Sequence, residues 1–406
     1  MNPFVVIGSG PAGAYAARTL AEAGEPVVVL TDEGARPIDR TTLSKTALAE
    51  AIDPPGLWPG EAEWLDLVEV RAGLPVVEVR VANRVVVTAD GEEITYRGLL
   101  LATGAEPRRL DLDGSRGPGV HVLRRVEDAE GLRADLGPGR RLVVIGGGVI
   151  GLEVAATARG LGTEVAVVEA GPRVLGRGVP PEVAAMLADV HAAHGVELVV
   201  GVAPVRIVRD EGRVAGVELA DGSLLPADAV LIGVGVTPRT DLARAAGLAV
   251  DDGIVVDAAG RTSAPDIWAA GDCVSMEGRR SESWTVAGRH GEVVARAMLG
   301  EDTAYGEVPW MWSDQYDLTL QSAGTAGPTD EPVVLRGPNW VLVLTFDADG
   351  RLTSACGVAP GGAIARPVRA ALQVIGAGAT LDPAVLADVT DLRALARDLL
   401  AAARAV

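Results

Sequence analysis

The stretch LVVIGGGVIGLE, residues 142–153, decides the fold of this chain. Its apolar start predicts a buried strand, and Gly146, Gly148 and Gly151 follow at the spacing G-x-G-x-x-G where a helix is predicted to begin. The first glycine permits a tight turn, the second lets backbone N–H groups approach a pyrophosphate, and the third lets the helix pack closely on the strand. Because the N-terminus of a helix attracts anions, the stretch predicts a dinucleotide site.

An acidic residue follows this loop at the distance that such a site requires. Residues 164–168 predict a second strand, which ends in Glu169, roughly 20 residues after the glycines. A carboxylate at that point can bind the ribose 2′-OH and repels a 2′-phosphate, so the sequence favours NAD over NADP. The residues predicted to bind NAD here are Gly146, Gly148, Val149, Ile150, Gly151 and Glu169.

The N-terminus repeats the same pattern. Residues 4–7 and 27–30 predict strands, residues 14–23 predict a helix, and the loop after the first strand reads GSGPAG. Two copies imply two dinucleotides, and the economical pair is FAD at the first loop and NAD(H) at the second; the alternative is that one copy is degenerate and empty. Asp32 or Glu33 would hold the adenosine ribose of FAD. The residues predicted to bind FAD here are Gly8, Gly10, Pro11, Ala12, Gly13, Asp32 and Glu33.

The composition suits an α/β protein and argues against several classes of partner. Glycine makes up 51 of the 406 residues, which fits many tight strand–helix turns. The net charge of −19 argues against nucleic acid and anionic membranes as general partners. The two cysteines, Cys273 and Cys356, form no C-x-x-C motif, so a disulfide framework and a zinc site are unsupported. Without a signal-like segment or an apolar run of about 18 residues, we expect a cytoplasmic protein that does not span a membrane.

A segment after the first loop indicates a family. Residues 36–45 read RPIDRTTLSK and resemble the R-P-Y-D-R-P-P-L-S-K segment of the ferredoxin reductases of the putidaredoxin reductase type; the likeness covers almost the whole chain. It implies that Arg40 and Lys45 contact the flavin and that Lys45 pairs with Glu153. Lys45 and Glu153 are the candidate catalytic residues, because a cation beside flavin N5 stabilises the reduced ring and a carboxylate makes that buried cation tolerable. Two threonines stand where the family has two prolines.

Further motifs of this family occur along the chain. A hairpin over residues 76–88 would hold the adenine with its backbone, and an A-T-G loop would lie under FAD. The aspartate of a G-D pair would bind a ribityl hydroxyl, and the helix that follows would point its N-terminus at the pyrophosphate. A later glycine would approach the nicotinamide, and two tryptophans, one in E-S-W and one in P-x-x-W-S-D-Q, would lie beside the flavin. The residues assigned by these matches are Val77, Ala102, Thr103, Gly104, Gly235, Gly271, Asp272, Trp284 and Trp312.

Two assignments have alternatives. Arg177 would help to neutralise the phosphates of NAD, but Arg173 in the same segment is an equivalent candidate. His290 falls near a position where the family has a glutamine. It is either a proton donor beside the flavin or an ordinary histidine on a helix surface.

The resemblance and the repeated loops together predict the fold class. We expect an α/β protein with two Rossmann-like dinucleotide-binding domains plus a smaller α+β C-terminal domain. The FAD-binding domain would be discontinuous, at residues 1–110 and 244–318. The NAD-binding domain would occupy residues 111–243, and the C-terminal domain residues 319–406.

The resemblance also implies a function. We expect a monomeric or homodimeric flavoprotein that passes electrons from NADH through FAD to a [2Fe–2S] ferredoxin serving a cytochrome P450 or another oxygenase. No cysteine lies between Lys45 and the hairpin, where thiol-using relatives keep one, so a disulfide reductase is disfavoured. Two alternatives stay open: a flavoenzyme acting on a small organic substrate or O₂, and a redox-sensing flavoprotein that binds NADH. The acidic net charge requires a basic patch or a hydrophobic contact for docking an acidic ferredoxin.

Overall fold

The computed structural model describes residues 2–34, 37–58, 62–386, 389 and 391–404. The chain forms two compact units, each of which collects segments from separate parts of the sequence. The first unit consists of Met1–Arg40, Pro54–Glu106 and Val236–Glu307, and the second unit of Thr41–Asp53, Pro107–Gly235 and Val308–Val406. Arg36, which opens the RPIDRTTLSK segment, lies outside the described residues.

Within the described residues the strands are short. In chain order they are β1 Phe4–Ile7, β2 Val27–Leu30, β3 Val68–Arg71, β4 Val76–Arg80, β5 Val85–Thr88, β6 Glu93–Thr95, β7 Gly98–Leu101, β8 Ala105–Pro107, β9 Val120–His121, β10 Arg141–Ile145, β11 Glu164–Glu169, β12 Val196–Val200, β13 Pro204–Asp210, β14 Arg213–Leu219, β15 Leu224–Pro226, β16 Ala229–Ile232, β17 Val236–Pro238, β18 Ile254–Val256, β19 Ile267–Ala269, β20 Val274–Met276, β21 Trp310–Gln315, β22 Leu318–Gly324, β23 Glu331–Gly337, β24 Trp340–Phe346 and β25 Leu352–Pro360.

The α-helices alternate with these strands over most of the chain and gather at its C-terminal end. They are α1 Pro11–Glu22, α2 Thr46–Glu50, α3 Val126–Ala134, α4 Val149–Gly160, α5 Pro181–Ala193, α6 Asp241–Ala245, α7 Trp284–Met298, α8 Ala365–Ala377, α9 Pro383–Leu386 and α10 Leu392–Arg404.

The first unit is built on a parallel sheet of five strands in the order β19-β7-β1-β2-β3. β1, β2 and β7 read FVVI, VVVL and GLLL, and all of their residues are buried. Such unbroken apolar runs are typical of parallel strands covered on both faces. The predicted strands at residues 4–7 and 27–30 and the predicted hairpin are confirmed. The first helix begins earlier than predicted, at Pro11, because proline fits the first helical position.

The second unit repeats this plan. Its parallel sheet has the order β12-β11-β10-β16-β9, so the central strand again precedes a glycine loop and a helix. The predicted strands at residues 142–145 and 164–168 are confirmed. Each unit also carries a small antiparallel sheet, β4-β5-β6 in the first and β13-β14-β15 in the second. The two Rossmann-like halves that the repeated loops predict are therefore both present.

The C-terminal part of the second unit is an antiparallel sheet, β21-β22-β25-β24-β23, with α8 and α10 packed beside it. Its core is continuous with that of the parallel sheet. Leu142 and Leu187 belong to the same buried cluster as Leu320 and Val343, and α5 lies against β24 and β25. The predicted α+β C-terminal fold is confirmed.

The two compact units differ from the predicted domains at several boundaries. Residues 236–243 belong to the first unit, although they fall within the predicted NAD-binding domain, and residues 107–110 belong to the second unit, although they fall within the predicted FAD-binding domain. Residues 41–53 belong to the second unit, although they fall within the predicted FAD-binding domain. The segment from Val308 onward also belongs to the second unit, together with the NAD-binding half. Because one compact unit can contain two domains, the division into three domains stays a prediction.

In the first unit, α1 and α7 approach each other at a glycine. A Cβ atom added to Gly291 would lie 2.1 Å from the carbonyl oxygen of Ala12, which is closer than two such atoms can come. The close packing of these helices therefore requires glycine at this position.

We expect Gly291→Ala to lower the free energy of unfolding by about 2 kcal/mol or more, because the added methyl group must push α7 away from Ala12. Gly376→Ala is the matched control within α8, since among the described residues a Cβ there meets only Val308, at 3.8 Å, and alanine raises helix propensity. Urea denaturation of both variants measures the difference. Wild-type stability of the Gly291 variant would contradict the close approach.

Candidate functional site

The loop after β1 can be built only with glycine at two positions. Gly8 has φ +108°, and an added Cβ would lie 2.2 Å from the carbonyl oxygen of Ala102. At Gly13 an added Cβ would lie 2.0 Å from the carbonyl oxygen of Gly8. α1 then begins at Pro11, and among the described residues no side chain caps its N-terminus. The first N–H groups of α1 are thus available to an anion.

A cation lies beside this loop. The Nη1 atom of Arg40 is 3.1 Å from the point that a Cβ on Gly10 would occupy, and the guanidinium also pairs with Glu33. A helix N-terminus and a guanidinium that converge on one glycine loop form a combination that binds pyrophosphate. The residues of this loop therefore fit the diphosphate of FAD.

The acids after β2 are held by arginines. Asp32 pairs with Arg239, whose Nη2 atom lies 3.2 Å from Oδ2. The hydroxyl of Thr103 donates a 2.6 Å hydrogen bond to the carbonyl oxygen of Arg239, so this arginine links the A-T-G loop to the acidic turn. The sequence analysis missed Arg239, because a pairing across 207 residues leaves no local pattern. The choice between Asp32 and Glu33 for the ribose stays a prediction.

Two further loops end beside the first glycine loop, since parallel strands finish at one edge of the sheet. Gly104 closes the A-T-G loop with φ +67°. Gly271 has φ +82°, and its added Cβ would lie 2.8 Å from the Cβ atom of Ala12. Asp272 follows and is partly buried. Of the predicted FAD residues, the structure brings together Gly8, Gly10, Pro11, Ala12, Gly13, Asp32, Glu33, Arg40, Ala102, Thr103, Gly104, Gly271 and Asp272.

Two predicted flavin residues of the first unit lie outside the loops around the first glycine loop, one on β4 and one at the start of α7. Val77 is at a bulge between Val76 and Glu78, and its side chain is 56% exposed. Trp284 begins α7, and its ring packs edge-on against Tyr15 with 5.9 Å between centroids. The contacts of both residues with FAD stay predictions.

His290 is buried inside the first unit, only 3% exposed, so its interpretation as a helix-surface histidine is wrong. Its Nδ1 atom accepts a hydrogen bond from the backbone N–H of Gly271 at 3.4 Å. Burial lowers the pKa of the imidazole to about 4. At neutral pH the ring is therefore uncharged, which also disfavours it as a proton donor, and it supports the loop that carries Asp272.

The loop after β10 in the second unit repeats the geometry of the first. Gly146 has φ +109°, and an added Cβ would lie 2.4 Å from the carbonyl oxygen of Gly233. At Gly151 an added Cβ would lie 2.2 Å from the carbonyl oxygen of Gly146. At Gly148, by contrast, nothing in the described residues lies within 4 Å of an added Cβ. This open side of the loop, where Val149 and Ile150 begin α4, is the side from which a pyrophosphate can approach.

Glu169 lies against this loop. Its Oε2 atom accepts a hydrogen bond from Gly147 N–H at 2.9 Å, and its Oε1 atom accepts one from Gly171 N–H at 2.7 Å. The carboxylate is thus held at the end of β11, where the ribose contact is predicted. Arg173 donates to carbonyl groups of its own loop, including that of Leu175 at 2.7 Å, whereas Arg177 is exposed. The choice of Arg177 over Arg173 for the phosphates stays a prediction.

Two more predicted residues belong to the second unit. Gly235 has φ +95°, and its carbonyl oxygen accepts a hydrogen bond from Arg108 N–H at 2.9 Å. Trp312 stacks on Trp310, with 5.3 Å between centroids. Their predicted contacts with the nicotinamide and the flavin are not tested by these interactions.

Glu153 on α4 is a buried carboxylate with three donors. Its Oε1 atom accepts from Lys45 Nζ at 3.3 Å and from Ser313 Oγ at 2.7 Å, and its Oε2 atom accepts from Ser44 Oγ. The Glu153 side chain is 3% exposed and that of Lys45 20%. Thr157, one turn further along α4, donates to the carbonyl oxygen of Ser44 at 2.8 Å. The predicted Lys45–Glu153 pair is present, and the two serines were missed.

One signal for this cluster is visible in the sequence but was not used. Lys45 is the only lysine in the 406 residues, and every other basic side chain apart from the histidines is an arginine. Lysine presents a compact ammonium on a flexible stem, whereas arginine presents a planar fork. The use of the single lysine at this position agrees with the predicted role of Lys45, which stays a prediction.

Some other functional features are absent from the part of the chain that the structure describes. No group of three or more His, Cys, Asp or Glu side chains there has the arrangement of a metal site. Over the same residues, no helix has the length and apolar character that crossing a bilayer requires. Both Cys273 and Cys356 are buried free thiols.

Comparison with known proteins agrees with these sites. Residues 2–291 match the family described as pyridine nucleotide-disulphide oxidoreductase, and residues 310–396 match the family described as reductase C-terminal. The chain belongs to the pyridine nucleotide-disulphide oxidoreductases. Within them it is a ferredoxin reductase of the putidaredoxin reductase type, an FAD-dependent oxidoreductase that uses NAD(H), so the expected fold class and cofactors are confirmed.

Relatives resemble the chain over nearly its full length. It is 41% identical over 404 residues to the ferredoxin–NAD(+) reductase component of the anthranilate 1,2-dioxygenase system of Burkholderia cepacia, which covers 96% of this chain and 98% of the relative. Rhodocoxin reductase of Rhodococcus erythropolis is 40% identical over 82% of this chain and 80% of its own length. Putidaredoxin reductase, in its covalent complex with putidaredoxin, superposes with a TM-score of 0.92 and 30% identity over 100% of this chain and 99% of that one.

We expect Gly148→Ala to fold normally and to raise the Kd for NADH by at least about tenfold, because the new methyl group occupies the open side of the loop that must approach the phosphates. Gly160→Ala, at the other end of α4, is the matched control, since an added Cβ there also has no atom of the described residues within 4 Å. Fluorescence titration with NADH measures both. Equal affinity in the two variants would contradict the assignment of this loop.

We expect acid to destabilise the protein through His290. The pKa of about 4 in the folded state lies below the ordinary value of 6.5, so the unfolded state binds more protons and stability falls as the pH drops below 6.5. Between pH 7 and pH 5 this histidine should cost about 2 kcal/mol of unfolding free energy. His290→Gln, which keeps an acceptor without a titration, should flatten that decline in urea denaturation, whereas His194→Gln on the surface should not. An unchanged pH dependence of stability in the His290 variant would refute the claim that His290 causes the loss of stability in acid.

Proposed function

We propose that the chain is an NADH:ferredoxin reductase that takes a hydride from NADH and delivers electrons singly to a [2Fe–2S] ferredoxin. The observation that carries the proposal is the presence of two glycine loops with open helix N-termini, accompanied in the second unit by a partly buried lysine paired with a buried glutamate. When bound, FAD supplies the chemistry that converts a two-electron hydride into two single electrons. The chain itself would bind FAD and NADH, orient them and exclude water from them.

The residues of the first unit would hold the cofactor. The N–H groups at the start of α1 and the guanidinium of Arg40 would bind the diphosphate of FAD, and Asp32 or Glu33 the ribose. Asp272, supported through Gly271 by His290, would accept a hydrogen bond from a ribityl hydroxyl.

The residues of the second unit would select and use NADH. The start of α4 would bind the NADH diphosphate, and the fixed carboxylate of Glu169 would accept the ribose hydroxyl and repel a 2′-phosphate. Lys45 would place its ammonium at the flavin. Glu153 would hold that ammonium in place, because its 3%-exposed carboxylate offers the lysine a partner that replaces water.

The relatives support the choice of electron acceptor. Their names assign them to ferredoxin–NAD(+) reduction in dioxygenase systems and to a complex with putidaredoxin. We infer that this chain likewise serves a ferredoxin for a cytochrome P450 or another oxygenase, in the cytoplasm and as a monomer or homodimer. The net charge of −19 means that the docking surface must be locally basic or apolar.

Stopped-flow reduction by NADH followed by addition of a [2Fe–2S] ferredoxin and cytochrome c tests the proposal. Rapid flavin bleaching and ferredoxin-dependent cytochrome c reduction are the expected results. Fast oxidation of NADH by O₂ alone would favour the flavoenzyme alternative, and very slow reduction with a long-lived flavin–NAD complex would favour the redox sensor.

Two substitutions test the assigned residues. Glu169→Arg should raise the kcat/KM ratio of NADPH to NADH by at least about tenfold, because an attractive charge replaces a repulsive one at the 2′-phosphate; Glu164→Arg at the exposed start of β11 is the control.

Lys45→Ala should slow flavin reduction by at least about tenfold, and Lys45→Arg should restore it only in part. An unchanged nucleotide ratio would refute the role of Glu169, and wild-type reduction rates in Lys45→Ala would refute that of Lys45.

A further inference from the structure

A series of buried hydrogen bonds in the second unit leads away from Glu153. Ser313 Oγ lies 2.7 Å from Glu153 Oε1, and Gln315 Nε2 lies 3.0 Å from Ser313 Oγ. Gln315 Oε1 lies 2.8 Å from His191 Nε2, and Tyr316 Oη lies 3.3 Å from His191 Nδ1. Glu153, His191, Ser313 and Gln315 are each at most 3% exposed. The series joins β21, the turn after it, α5 and α4.

The chemistry of the groups fixes the direction of every link. The carboxylate of Glu153 accepts, so the hydroxyl of Ser313 donates to it and must itself accept from an N–H group, which is Gln315 Nε2. The amide oxygen of Gln315 then faces His191, whose Nε2 atom must carry the proton. A neutral imidazole leaves Nδ1 as an acceptor, so Tyr316 donates to it. Each donor therefore points toward Glu153.

His191 and Tyr316, the titratable groups of the series beyond Glu153, are held in the protonation states that this direction requires. Burial lowers the pKa of the His191 imidazole, and His194 acts in the same direction, against the hydrogen bond to Gln315. Burial raises the pKa of the Tyr316 hydroxyl to about 12. At neutral pH the ring of His191 is uncharged and Tyr316 keeps its proton.

The outer end of the series is fixed by a strained turn. Tyr316 lies between β21 and β22 with φ +57°, a conformation that costs free energy for a residue with a side chain. Its ring stacks on His194 at the end of α5, with 3.8 Å between centroids and planes 16° apart. His194 in turn is fixed by a 2.8 Å hydrogen bond from Nδ1 to the carbonyl oxygen of Val190. In this strained conformation the side chain of Tyr316 contacts both His191 and His194.

We propose that Tyr316, His191, Gln315 and Ser313 form a one-way hydrogen-bond relay that orients the Glu153 carboxylate toward Lys45. They are positioning residues, because they act through Glu153 and Lys45. The relay matters for the reaction only if Lys45 acts at the flavin, so the inference rests on the proposed function. It adds a second support for Lys45 that begins at Tyr316, with His191, Gln315, Ser313 and Glu153 between the two residues.

The link between Gln315 and Ser313 can be reversed without changing the shape of the relay. Gln315→Glu keeps the outline of the side chain but removes both N–H donors, so the hydroxyl of Ser313 is drawn to the new carboxylate and away from Glu153. Gln321→Glu is the matched control, because Gln321 is also buried in the antiparallel sheet, 6% exposed, and lies outside the relay. Ser313→Ala removes the last donor without adding a charge, and thermal unfolding confirms that each variant is folded.

The single lysine of the chain provides a direct readout. Holoenzyme labelled with [ε-¹⁵N]lysine gives one ammonium resonance, that of Lys45. We expect its protons to exchange with solvent at least about tenfold faster in Gln315→Glu and Ser313→Ala than in wild type and Gln321→Glu, because the misoriented carboxylate holds the ammonium less firmly. Flavin reduction by NADH should slow by at least about tenfold in the same two variants.

The two measurements separate the possible failures. Wild-type exchange rates in both relay variants would overturn the relay. Faster exchange with wild-type flavin reduction, while Lys45→Ala is slow, would overturn its contribution to the reaction. If Lys45→Ala itself reduced flavin at the wild-type rate, the proposed role of Lys45 would fail, and the exchange rates alone would decide whether the relay exists.

Discussion

A contact between backbone atoms governs both halves of this protein. In each parallel sheet, the first glycine of the loop after the central strand lies so close to a carbonyl oxygen beyond the neighbouring strand that no Cβ fits between them: Gly8 against Ala102 and Gly146 against Gly233. The positive φ angles at Gly8 and Gly146 turn the chain into α1 and α4. The helix N-termini are thereby fixed at the edge of the sheet where dinucleotides bind. The same backbone contact occurs in both units, and in each of them it forms a candidate nucleotide site from the repeated glycine loop.

The buried carboxylate of Glu153 adds the chemistry to this frame. It lies on α4, the helix that the second glycine loop begins, and so its position follows from the same backbone contact. Around it the second unit gathers Ser44 and Lys45 from one segment and Ser313 from β21. The burial of Glu153 would be costly without these donors. Retention of one lysine in a chain whose other cationic side chains are arginines agrees with a demand for an ammonium group here.

The parts of the structure that could be predicted from the sequence have local signatures. Apolar runs, glycine spacing and a terminal acid predicted both parallel sheets, their loops and Glu169, and a family segment predicted the Lys45–Glu153 pair. The parts that were missed depend on pairings between distant residues, such as Asp32 with Arg239 and His191 with Gln315, which lie 124 residues apart. The helix-surface alternative for His290 was wrong because the helical pattern does not reveal that its ring is buried against the backbone of Gly271.

The central claim is that the first glycine loop, with Arg40 beside it, holds FAD in the same chain that binds NADH. The visible absorption spectrum of the purified protein, recorded after incubation with FAD and removal of the excess by gel filtration, tests this most directly. We predict the two absorption bands of an oxidised flavin, at a content of one FAD per chain, and their bleaching when NADH is added without oxygen. A protein that stays colourless after this treatment would contradict the account.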